Sequence, residues 1–61
     1  MITVYFRTGG RDNFQWRRVS TEFATRESAK AKAEELQRAG YPARYATTKA
    51  LNAIGLPETY I

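Results

Sequence analysis

Apolar residues open this chain on every second position. Ile2, Val4 and Phe6 alternate with Thr3, Tyr5 and Arg7. Period two carried by β-branched and aromatic residues predicts a strand over residues 2–8. Thr8-Gly9-Gly10-Arg11-Asp12-Asn13 then gathers turn formers and predicts a hairpin loop. Phe14-Gln15-Trp16-Arg17-Arg18-Val19 predicts a second strand, over 14–20. With Phe14 and Trp16 taken as inward, Val19 falls on the wrong parity. A bulge at Arg17-Arg18 would turn Val19 back inward and both arginines outward.

From Thr25 the period lengthens. Ala29, Ala33, Leu36 and Gly40 share one helical face, which predicts a helix over 26–39. Thr25 is the expected N-cap, and Glu27 lies near the positive end of the helix dipole. Lys30–Glu34, Glu34–Arg38, Glu27–Lys30 and Lys32–Glu35 stand three or four apart, the spacing of weak supporting ion pairs. Gly40 ends the helix in a left-handed residue, Tyr41 folds back over the last turn, and Pro42 forbids continuation. The small stripe suits a sheet with large side chains, here Phe6, Phe14, Trp16 and Tyr45.

Ala43-Arg44-Tyr45-Ala46-Thr47 predicts a third strand, over 43–48. A short helix follows over 49–54, capped by Thr47 or Thr48, with Leu51 and Ile54 docking on the core and Gly55 stopping it. Residues 56–61 read as a tail, loose or added to a sheet edge. The expectation is therefore a single α+β domain over 1–61, ordered β-β-α-β(-α). A right-handed crossover gives a three-stranded sheet in order 2-1-3, with one helix packed on one face and the other face open.

Sixty-one residues bury only about 60 % of the surface of the unfolded chain, so such a domain is marginal unless its core is economical or a partner helps. Self-association into a homodimer is one such route. No cysteine or histidine is present. That removes disulfides, zinc sites of the Cys/His type and the commonest nucleophile–base pairs. Neither Ser20 nor Ser28 has a visible activating base. Glu34 and Glu35 point about 100° apart on a helix, so they do not form a carboxylate pair. No catalytic activity, cofactor or metal is expected. Gly9-Gly10 beside Arg11 resembles an anion-binding nest, but a phosphate loop needs a longer pattern leading into a helix, and this one joins two strands. No signal peptide and no apolar run of membrane-spanning length is visible, so the chain is expected to be complete, cytoplasmic and free of membrane.

The helix followed by Gly40-Tyr41 and a strand resembles half of a SPOR-type peptidoglycan-binding repeat. The second half-repeat is absent from the sequence, and that family's function is not carried over. An outward three-stranded sheet is also similar to that of sheet-reading DNA-binding domains, which place their helix after all three strands.

Charge directs attention to the open face. Ten Lys and Arg stand against six Asp and Glu, a net charge of +4, and seven of those cations are arginine. Arginine grips phosphates and carboxylates through a planar fork. If Phe14 and Trp16 face the helix, then Tyr5, Arg7, Gln15, Arg17 and Arg44 face water, joined by Arg18 if the bulge forms. Such a surface could hold phosphates, read base edges or stack an unpaired base. Arg and Tyr are also enriched at protein interfaces. The alternative expectation is thus a protein-interaction module, an inhibitor or accessory factor acting on a host protein; a phage or mobile-element origin suits both.

Overall fold

The computed structural model describes residues 1–10 and 12–55. The elements run β1 (Ile2–Thr8), β2 (Gln15–Phe23), α1 (Arg26–Arg38), β3 (Ala43–Thr47) and α2 (Thr48–Ile54). The sheet has the expected order, β2-β1-β3. Both neighbours of β1 run antiparallel to it, so the most apolar strand is central and, among the described residues, β2 and β3 flank it. The predicted tail at 56–61 lies outside the described residues, as does Arg11.

Local chemistry sets the element ends. The Ser28 amide donates to Thr25 Oγ1 at 3.2 Å, capping α1 as its sequence predicts. At the other end, Gly40 takes φ of 100°. There the Gly40 amide donates to Gln37 O and the Tyr41 amide to Leu36 O, both at 3.0 Å. These are the two bonds of a Schellman closure, and glycine adopts its left-handed residue without steric cost. Thr47 caps α2 through the Ala50 amide at 3.2 Å. On the solvent side of α1, Lys32 pairs with Glu35 at 3.4 Å and Arg38 with Glu34 at 3.8 Å, each pair worth a few tenths of a kcal/mol.

The alanine stripe does what its size predicts. Ala29 and Ala33 are buried against Val4, Phe6 and Ala43, with Ile2, Val19, Phe23, Leu36 and Tyr45 packed around them. Gln37 Nε2 donates to Ala43 O at 2.9 Å and ties α1 to β3. The Tyr41 ring meets Phe6 edge-on, with centroids 5.5 Å apart.

The bulky partners of that stripe differ from those expected. Directly opposed residues of an antiparallel pair point to the same side of a sheet. Phe6 faces α1 and lies opposite Arg17, whereas Arg7 lies opposite Trp16 and Tyr5 opposite Arg18. Trp16 therefore occupies the face away from α1, and Phe14, whose ring sits 5.2 Å from the Arg7 guanidinium carbon, accompanies it. Loop length is the cause. Thr8 pairs with Gln15, which leaves an even number of residues between them, so even positions of β1 oppose odd positions of β2. Gly9 makes that loop possible: its φ is 98°, and a Cβ there would come within 2.3 Å of Asn13 O.

The bulge also lies elsewhere than predicted. Between the Thr3–Glu22 and Tyr5–Arg18 pairs, β1 advances two residues and β2 four. The irregularity thus falls on Val19–Thr21, not on Arg17-Arg18. Two extra residues leave the alternation in phase, so Arg17, Val19 and Phe23 all belong to the α1 side, and β2 extends to Phe23 rather than ending at 20.

The second face is only partly open, because α2 lies across one end of it. Thr3 Oγ1 and Thr48 Oγ1 are 2.6 Å apart, Arg18 Nη1 donates to Asn52 Oδ1 at 2.9 Å, and the Thr48 amide donates to Met1 O at 3.0 Å. Leu51 is fully buried on the inner side of α2, outside the cluster under α1 on which it was expected to dock, and Ile54 is 71 % exposed and does not dock.

Candidate nucleic-acid interface

Sheet register and α2 together decide which of the expected residues meet. Tyr5 and Arg7 lie on the face away from α1, and Arg44, opposite Tyr5 on β3, lies there too. Arg18 shares that face but is only 3 % exposed, held against Asn52 under α2. It anchors the helix and does not present a guanidinium to a ligand. Gln15 and Arg17 were expected on the same surface and are not: they oppose Thr8 and Phe6, on the α1 side. Arg17 Nε there donates to Thr8 Oγ1 at 3.2 Å. The reason is the odd-to-even register set by the hairpin loop.

Sequence reasoning placed Phe14 and Trp16 in the core, and the structure puts both at this surface. Trp16 is half-buried, its ring tilted 59° against Tyr5 with centroids 5.3 Å apart. Phe14 remains 48 % exposed, and Arg7 covers one side of its ring. The signal that could have located them is the shared parity of Val19 and Phe23, two apolar residues that demand the opposite face. The open end of the sheet thus carries Tyr5, Trp16 and Phe14 in adjoining positions, with Arg7 and Arg44 exposed beside them. Glu22 opposes Thr3 at the α2 end, away from this cluster.

Physically, the arrangement offers aromatic rings and two guanidinium forks on one surface. Aromatic rings accept stacked planar groups, and arginine binds phosphate oxygens in a bidentate manner. Among the described residues no group of three or more acidic side chains could hold a metal ion. Gly9 is explained by its close approach to Asn13. Ser28 serves the helix cap, bonding Thr25 Oγ1 at 2.9 Å. A separate groove of about 670 Å³ runs between α1 and the β3 edge, lined by Lys30, Glu34, Gln37, Pro42 and Arg44 among others.

No family model, curated protein or solved structure matches the chain. Among the described residues no helix is long and apolar enough to cross a membrane.

Proposed function

We propose that this is a non-catalytic, cytoplasmic binding protein that contacts nucleic acid through the open end of its second sheet face. The observation that supports the reading is the convergence of Arg7, Arg44, Tyr5, Trp16 and Phe14 on one surface of a chain with net charge +4. Phosphate contacts are made by displacing counterions, so affinity must fall as salt rises. Titrating oligonucleotides at several salt concentrations tests it. Log K should fall linearly with log salt, and Arg44→Ala should flatten the slope by about 0.7–0.9. Absence of binding to any oligonucleotide at low salt overturns the reading.

The β3 edge supports a second reading, a protein-interaction module acting as an inhibitor or accessory factor. Among the described residues β3 pairs only with β1, and a strand at a sheet edge beside a groove can add a partner strand or a second copy of this chain. A nuclease-treated pull-down that recovers a defined partner, lost when Arg44 is changed, supports this alternative. Light scattering distinguishes a hetero-partner from a homodimer.

A further inference from the structure

We infer that the ligand of this face is single-stranded nucleic acid, two of whose bases stack on Trp16 and Phe14 while Arg7 and Arg44 take the phosphates. The inference rests on the nucleic-acid reading and narrows its substrate class.

Register argues against a duplex. Reading base edges from a sheet needs forked or amide side chains projecting together into a groove. Gln15 and Arg17, the side chains that would have done so, stand on the opposite face. What the open end presents in their place is ring surface. In a duplex the base faces are already stacked on one another, so exposed rings find partners only where bases are unpaired.

Spacing argues for more than one base. Residues two apart along an extended chain are separated by about 6.6 Å, so Phe14 and Trp16 can each hold a different base. Their supports differ. Tyr5 braces the Trp16 ring from the neighbouring strand at 5.3 Å. Arg7 sits over one side of Phe14 at 5.2 Å, and the ring stays 48 % exposed, enough for a base to join a base–ring–guanidinium stack. Meanwhile α2, seated on Thr3 and Arg18, closes the far end. The open platform is thereby short, which suits a few splayed nucleotides better than the width of a double helix.

Trp16 is the single tryptophan of the chain, so its emission reports directly on the proposed contact. The experiment titrates the full chain at low salt with oligo(dT), oligo(U) and a mixed-sequence duplex of equal length, following Trp16 fluorescence and, in parallel, anisotropy of labelled oligonucleotides. Saturable quenching by a single strand is expected, with duplex affinity about tenfold or more weaker. The dT and U arms tell which sugar the site accepts. Phe14→Ala should weaken single-strand binding by roughly tenfold and leave the residual duplex binding unchanged. Trp16→Phe, which keeps a ring at that position, should retain most of the anisotropy-detected affinity where Trp16→Leu does not. Circular dichroism of each variant confirms that the fold is intact. Equal or tighter duplex binding, or saturation without any change in Trp16 emission, overturns the single-strand inference and leaves nucleic-acid binding standing. Failure of every oligonucleotide to bind overturns both.

Discussion

The two faces of the sheet are built by different rules. On the α1 face, large strand residues meet small helix residues: Val4 and Phe6 pack on Ala29 and Ala33, with Val19, Leu36 and Tyr45 at the margin. The packed centre there is apolar, with Gln37 bonding Ala43 O at its margin, and the surfaces close because bulk on one layer complements smallness on the other. On the second face a helix of seven residues inserts one leucine and fastens itself through polar atoms, Thr3 to Thr48 and Arg18 to Asn52. Burying a charged guanidinium is unfavourable unless it is well bonded, and among the described residues Leu51 is the fully buried apolar side chain of that helix. Beyond α2 its aromatic rings are left partly in water. The first face holds the buried apolar cluster; the second, beyond α2, carries side chains that stay exposed or half-exposed.

Substitutions can break this comparison, and the α1 face should respond most. Phe6 is almost fully buried and touches both the alanine stripe and Tyr41. Phe6→Ala should cost about 3–5 kcal/mol, read as a fall in the urea midpoint. A cost near zero would mean that the packed core is not where the fold is held.

Leu51→Ala probes the other side. A fully buried leucine ordinarily costs about 2–5 kcal/mol to truncate. Here the lower part of that range is expected, because α2 is short and terminal to the sheet and can detach without unfolding β1 or α1. Amide exchange of Ala50–Ile54 should accelerate while the β1 amides stay protected. Equal acceleration in both would show that the two faces form one cooperative unit.

Overpacking tests the complementarity itself. Ala33→Leu adds bulk on the buried face of α1 and should destabilise by about 1–3 kcal/mol, measured by thermal or urea denaturation. If the variant is neutral or stabilising, the stripe is a matter of helix propensity rather than fit.

The parts of this fold that depend on neighbouring residues were legible in the chain. Thr25 and Gly40 mark the ends of α1, the alanine stripe names its buried face, and the strand order follows from a hairpin and a right-handed crossover. What depended on register was not. Phe14 and Trp16 look like core residues by size, and only the loop closed by Gly9 and Asn13 turns them outward. The same loop sends Gln15 and Arg17 to the α1 side, so two of the six expected surface residues leave that face while Phe14 and Trp16 take their place. Arg18 fell on the expected face, yet its burial is a matter of where α2 lands, which depends on contacts more than thirty residues apart in the chain. Alternation along a single strand leaves the choice of face open until its partner's register is known.

Two phenylalanines give the smallest expected effect and the sharpest contrast. Phe14 is half in solvent and touches Arg7 through a cation–π contact, an interaction worth about 0.5–1 kcal/mol at an exposed site. Phe14→Ala should therefore lower stability by no more than about 1 kcal/mol, a shift of roughly 4–8 °C at most for a domain of this size. Phe6→Ala, the same chemical change on the opposite face, should cost several times as much. If the two variants melt together, the second face is a core in its own right, and the rings at its open end are structural. If Phe14→Ala melts close to the parent and yet loses oligonucleotide binding, stability and recognition are divided between the two sides of one sheet.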